Sequence, residues 1–150
     1  MPRPLDISPS APWKARFRAH TIAWAQIARA NAKRGIVCAN HSGIYQLYAW
    51  DVETGALRQI TDQPAGVVFG AISVDGAFLY YLRDEQGDEL GHFVRVRFEG
   101  GEPEDMTPDL PRYASWSIHE SRSNNMIGLM AAHSGKFHYY VIEKLINGGL

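Results

Sequence analysis

The stretch Val67–Pro108 constrains the chain most, because it reads as four short extended segments folded back on one another. Ile72-Ser73 closes one extended run, and Val74-Asp75-Gly76-Ala77 makes a tight turn. Phe78–Leu82 is an apolar run rich in β-formers, and Asp84–Gly91 is a polar loop. His92–Phe98 then alternates residue by residue before Gly100-Gly101 turns the chain towards Met106-Thr107. Asp-Gly and Gly-Gly between such runs signal hairpins, since those residues accept the positive φ of a two-residue turn.

The pattern recurs. Shifted back by about 45 residues, the period of a repeat array, Val67–Ser73 falls on Ile22–Ala28, with Phe69 over Trp24 and Ile72 over Ile27. Phe78–Leu82 falls near Ile36–Asn40, His92–Phe98 near Gln46–Val52, Gly100-Gly101 on Thr54-Gly55, and Asp105-Met106-Thr107 on Gln59-Ile60-Thr61. Moving forward, Ser115–Ile118 sits over Gly70–Ser73, Met126–Met130 near Phe78–Leu82, Phe137–Glu143 over His92–Phe98, and Gly148-Gly149 near Gly100-Gly101. A four-stranded meander repeating at this period is the unit of a β-propeller. The expected fold is therefore all-β: a partial β-propeller of about three four-stranded antiparallel blades, the last incomplete. Residues 1–21 are expected as an irregular arm, and the blades at about 22–62, 67–108 and 113–150.

One segment tests this reading. Trp13–Arg34 is rich in alanine, and propensity alone makes it a helix. The repeat makes Ile22–Ala28 a strand, because tertiary context overrides a few tenths of a kcal/mol per residue. Within strands, Val94, Val96 and Phe98 share one face and Arg95 and Arg97 the other. In Gly43–Asp51, Tyr45, Leu47 and Ala49 share one face while Tyr48 and Trp50 occupy the opposite one, which implies burial on both sides of a stacked sheet.

Charge and cysteine content narrow the function classes. The 150 residues carry a net charge of -1, so no global field favours nucleic acid or an anionic membrane. Lys14, Arg16, Arg18, Arg29, Lys33 and Arg34 lie between Ile7 and Trp50 with no acid among them, and Trp13, Phe17 and Trp24 are interleaved. Such a segment can contact phosphates and stack on bases, but the repeat accounts for it without a ligand. The single cysteine, Cys38, in an apolar setting, reads as a buried thiol and fits a reducing compartment. Cytoplasmic localisation is the expectation, with no membrane partner, since no apolar run approaches the ~20 residues of a span.

Catalytic patterns are missing. There is no Gly-x-Ser-x-Gly elbow and no glycine-rich phosphate loop. His41-Ser42-Gly43 and His133-Ser134-Gly135 read as hairpin turns. Of six histidines (His20, His41, His92, His119, His133 and His138), His133 and His138 are close in sequence, but five residues across a turn is weak metal-ligand spacing. Asp84 and Asp88 sit in the loop Asp84–Glu89 without the alternating oxygens of a calcium loop. That loop reads as solvated, with Glu89 or His92 holding backbone groups. No catalytic, cofactor-binding or metal-binding residue is assigned, and no cofactor is expected.

Ser42–Asp51, Thr54-Gly55 and Arg58–Thr61 resemble a blade from the N-terminal propeller of prolyl oligopeptidase-family serine peptidases. Ile72–Gly76 stands where such propellers read Ser-Pro-Asp-Gly, with Val74 in place of the proline. Asp84, Gly87, Glu89, Gly91, His92, Glu99-Gly100-Gly101 and Leu110-Pro111 extend the resemblance, which covers roughly residues 13–140. The blade pattern is shared with TolB-like and WD-repeat propellers. The resemblance implies a non-catalytic propeller fragment that, in a parent peptidase, gates or positions peptide substrate through the catalytic domain. It carries over no catalytic residue, since no position matches one. The alternative is a self-associating β-propeller interaction module. There a homo-oligomer, or strand addition from residues 1–20, covers what the terminal blades leave open.

Overall fold

A computed structural model describes residues 4–15, 19–123 and 125–143 of the chain. They form three antiparallel sheets, each a simple meander. The first contains β1 (Ile22–Ala28), β2 (Asn31–Ala39), β3 (Gln46–Asp51) and β4 (Leu57–Gln59), in that order. The second contains β5 (Ala71–Ile72), β6 (Phe78–Asp84), β7 (Gly91–Arg97) and β8 (Glu104–Asp105). The third, among the described residues, contains β9 (Ile118–Glu120), β10 (Met126–His133) and β11 (Lys136–Glu143). A single turn of 3-10 helix, Pro12–Lys14, precedes β1. The chain is all-β, a partial propeller with two four-stranded blades and a third of three described strands. Gly148-Gly149 lies outside the described residues.

Ile22–Ala28 is a strand despite its alanines. It pairs with β2 from Ile22↔Ala39 to Ala28↔Asn31, with register shifts near each end. Trp24 explains the preference: its ring packs against the buried core and its Nε1 donates to Val68 O at 2.8 Å. Extended backbone delivers that ring to the neighbouring sheet.

The outer strands begin earlier than the repeat indicated. β4 ends at Gln59 and β8 at Asp105, so Ile60-Thr61 and Met106-Thr107 lie just beyond the ladders. Ile60 N still donates to Leu47 O at 2.8 Å, and Met106 N to Phe93 O at 2.9 Å, equivalent bonds in the two units. The threonines then leave the sheet because their hydroxyls find buried partners. Thr61 Oγ1 accepts from Leu47 N and donates to Gln46 Oε1. Thr107 Oγ1 lies 2.8 Å from Tyr113 Oη.

Two apolar layers hold the sheets face to face. Between the first and second lie Ile36, Cys38, Leu47 and Ala49 against Leu79, Tyr81, Val94 and Val96. Between the second and third lie Tyr80 and Phe93 against Tyr113, Ile118, Ile127, Leu129 and Ala131. Neighbours along β6 and β7 thus enter opposite layers, the two-sided burial expected of stacked sheets. Tyr48 likewise turns away from Leu47 and Ala49 to join Val37 and Ala39 on the far side of the first sheet, where Trp50 and Leu57 pack against them. Arg95 is buried among apolar neighbours because Glu104 takes its guanidinium through two hydrogen bonds, 2.8 and 3.0 Å long, and the Phe78 ring lies beneath it. Burial also pushes the pKa of the Cys38 thiol up, so the thiol stays protonated and inert.

Polar clasps fix the stacking. Glu120 of the third sheet accepts from Val74 N at 3.1 Å and from Tyr80 Oη at 3.2 Å. Arg34 of the first reaches Glu99 at 2.6 Å and Gly76 O at 3.2 Å. Gly70 allows the closest approach: a Cβ there would stand 2.6 Å from Leu47 Cδ1 and 3.0 Å from Tyr80 O. Gly70→Val is expected to lower stability by about 1–3 kcal/mol through overpacking. Urea unfolding checks it: the midpoint should fall at constant slope, and an unchanged midpoint would contradict this packing.

Candidate functional site

Three connections meet at one end of the second sheet: the crossing from the first sheet, the β6–β7 loop, and the crossing to the third sheet. They enclose a groove of about 360 Å³ lined by Val68, Phe69, Leu82, Asp84, Glu89 and Trp116 among others. That volume is within the range of small-ligand sites. Its lining is largely apolar, with Val68 65% and Trp116 58% exposed, and includes two acidic residues, Asp84 and Glu89.

Local backbone geometry sets the acidic side. Gln86, Gly87 and Glu89 all have left-handed φ, at 58°, 81° and 58°. A Cβ on Gly87 would lie 2.6 Å from Ala65 Cβ, so glycine lets the loop rest on the first crossing. Asp84 Oδ2 accepts from Glu89 N at 3.1 Å, and Asp88 Oδ1 from Leu90 N at 3.1 Å. Arg112, from the second crossing, donates to both Asp88 oxygens at 2.9 and 2.8 Å and to Leu90 O at 2.5 Å. The sequence reading gave the backbone-holding role to Glu89 or His92; Asp84 and Asp88 perform it. His92 instead places Nδ1 2.7 Å from Asp105 Oδ2 and stacks on Tyr113 at 5.6 Å.

The other singled-out residues do not enter the groove. Ser42 lies in the β2–β3 connection, its hydroxyl donating to Ile44 O at 3.4 Å, and His41 packs against His20 and Tyr48. Ser134-Gly135 turns β10 into β11, with His133 stacked on His138 at 4.1 Å. Among the described residues no three His, Cys, Asp or Glu side chains cluster as metal ligands would. The basic segment is dispersed: Lys33 pairs with Glu53, Arg34 with Glu99, Lys14 donates to Ile7 O, and Trp24 is tucked against the core. Arg16, Phe17 and Arg18 lie outside the described residues. No helix among the described residues is long and apolar enough to cross a membrane.

The groove wall includes Ser115, whose hydroxyl donates to the backbone carbonyl of Met130 rather than to a side-chain base. The groove's chemistry suits an apolar group carrying a cation, the one packed on Trp116, Val68 and Leu82, the other near Asp84 and Glu89. Sequence reasoning found the acidic loop but missed Val68, Leu82 and Trp116. A tryptophan at the start of a repeat, beside polar residues, is the signal that could have pointed to it.

The loop should respond to acid. Asp88's carboxyl titrates below the ordinary range, chiefly because Leu90 N–H binds its charged form, with Arg112 adding to the effect. A depressed folded-state value means that its contribution is present above the ordinary carboxylate value and lost as pH falls through the folded value. In Arg112→Ala the Asp88 midpoint should rise but stay below the ordinary carboxylate range, because the Leu90 N–H bond remains, as carboxyl NMR titration would measure; an unmoved midpoint would show that the pair does not form in solution.

No family model and no curated protein matches the chain in sequence. Its fold is similar to that of solved structures. TolB from Acinetobacter baumannii superposes at TM-score 0.57 and 16% identity, over 80% of this chain and 29% of that one. A putative TolB from Agrobacterium tumefaciens superposes at 0.63 and 18%, over 85% and 47%. A puromycin hydrolase mutant complexed with PGG superposes at 0.59 and 18%, over 84% and 19%. The chain thus spans less than half the length of each. With the three stacked meanders, these likenesses establish the fold as part of a β-propeller, of the kind found in TolB and in a hydrolase.

Proposed function

We propose that the chain is a non-catalytic propeller unit that positions peptide substrate for a serine peptidase of the prolyl oligopeptidase kind. The groove would hold the peptide's amino end. The observation that carries this reading is the pairing, in one groove, of Trp116, Val68 and Leu82 with the carboxylates of Asp84 and Glu89. A peptide's first residue offers the matching chemistry, an ammonium beside a side chain. The blade motifs at Ser42–Asp51 and Ile72–Gly76 and the structural likeness to a hydrolase complexed with PGG support the same reading.

The test is a titration, followed by NMR, with a short peptide whose first residue is phenylalanine, alongside its N-acetylated form. The free-amine peptide should shift the Trp116 indole and the Glu89 amide. Acetylation, or Glu89→Gln, should weaken binding about tenfold or more, as loss of a charge-assisted hydrogen bond does. Equal binding of the acetylated peptide would sink the proposal, as would no shift at millimolar concentration.

A further inference from the structure

The loop that carries Glu89 has little of its own to hold it in shape. Its internal hydrogen bonds are short in range: Asp84 Oδ2 accepts from Glu89 N, Asp88 Oδ1 accepts from Leu90 N, and Asp88 N donates to Glu85 O at 3.2 Å. Gln86 and Glu89 nevertheless keep left-handed φ, 58° at each. A residue with a side chain stays in that conformation only where its surroundings fix it. Among the described residues, the hydrogen bonds from Glu85–Leu90 to groups outside Asp84–Gly91 all go to one residue, Arg112. Its Nη2 lies 2.9 and 2.8 Å from the Asp88 oxygens and 2.5 Å from Leu90 O, so it grips the residues on either side of Glu89. Its Nη1 stands 3.8 Å from Glu85 Oε2.

Arg112 is itself well anchored. Its neighbour Tyr113, fully buried, exchanges both backbone hydrogen bonds with Gly91 at 3.0 Å, and the Tyr113 hydroxyl accepts from Phe93 N at 2.8 Å. The same segment runs on to Ala114 and Trp116, part of the apolar lining of the groove. One guanidinium therefore links the acidic loop to the segment that supplies the indole.

We propose that Arg112 is a positioning residue for the amino end of the bound peptide: it fixes the Glu89 carboxylate relative to Trp116 without lining the groove itself. The inference rests on the amino-end reading of the groove and adds to it the residue on which recognition depends. Charge alone predicts the reverse. A guanidinium near the site opposes an ammonium, and removing it uncovers the carboxylates of Asp88 and Glu85, so electrostatics by itself makes Arg112→Ala hold a cation more tightly. Positioning makes the variant hold it more loosely, because only molecules with the loop in place can bind. The sign of the change separates the two effects.

The free-amine and N-acetylated peptides with phenylalanine first, titrated against the full chain with and without Arg112→Ala, provide the test. The unaltered chain should bind the free-amine peptide more tightly; if it does not, the amino-end reading falls and this inference with it. Where it does, Arg112→Ala should weaken the free-amine peptide about fivefold, the loss expected of a half-exposed clasp. The acetylated peptide should be unaffected. Combined with Glu89→Gln, the same substitution should cost nothing further, because residues acting through one another are not additive. Equal or tighter binding of the free amine would overturn the role of Arg112 and leave the amino-end reading standing. Equal weakening of both peptides, or a full further loss on top of Glu89→Gln, would overturn it as well. An unchanged urea midpoint confirms that the variant folds. If it does not fold, Arg112→Met, which keeps the length of the side chain and removes its donors, takes its place with the same outcomes.

Discussion

The two-sided burial of β6 and β7 is the constraint on which the structure depends. The apolar residues along these strands enter two layers by turns, Leu79 and Val94 into one and Tyr80 and Phe93 into the other. Among the described residues no other sheet has a neighbouring sheet on both faces. The first and third sheets are held through it, and a one-residue slip in its register would exchange the contents of both layers. The polar clasps follow the same logic. Glu120 and Arg34 approach the Val74–Gly76 turn of the second sheet from opposite sides, so the orientation of each outer sheet is referred to one turn.

The groove is a by-product of that stacking. Each crossing between sheets returns the chain to the same end, and the β6–β7 hairpin opens there too. Binding residues drawn from loops on a rigid scaffold are the common arrangement, and here the scaffold fixes where the loops can meet. Arg112 completes it by joining the second crossing to the hairpin loop through Asp88 and Leu90. The acidic residues are thus divided. Asp88 is committed to structure, Asp84 both lines the groove and accepts from Glu89 N, and Glu89 lines the groove.

Much of the fold was legible in the sequence because the repeat carries it. Ile22–Ala28 was identified as a strand against its own composition by comparison with Val67–Ser73, and the two-sided burial of Leu47 and Tyr48 followed from alternation. The ends of β4 and β8 were not legible. Thr61 and Thr107 match the repeat as well as strand residues do, and what removes them from the ladder is a hydroxyl partner that the period does not mark: Gln46 for one, Tyr113 for the other. The groove was legible only in part. Its acidic loop is contiguous, but Val68, Leu82 and Trp116 come from three separate segments whose meeting depends on how sheets stack, which a repeat period does not encode. Arg95 shows the same limit. Alternation placed it on the face opposite Val94 and Val96 but did not say whether that face is buried; Glu104 and Phe78 make burial tolerable there.

The outer faces of the two end sheets differ in how much of them water reaches. Val37, Ala39 and Tyr48 are buried on the far face of the first sheet, with Trp50 and Leu57 packed against them, while Ile27 on the same face is 44% exposed. Phe137, Tyr139 and Val141 on β11 are more open still, at 64%, 81% and 68%. Contiguous exposed apolar side chains are where a folded surface most readily associates, so among the described residues the β11 side of this stack is its stickier end.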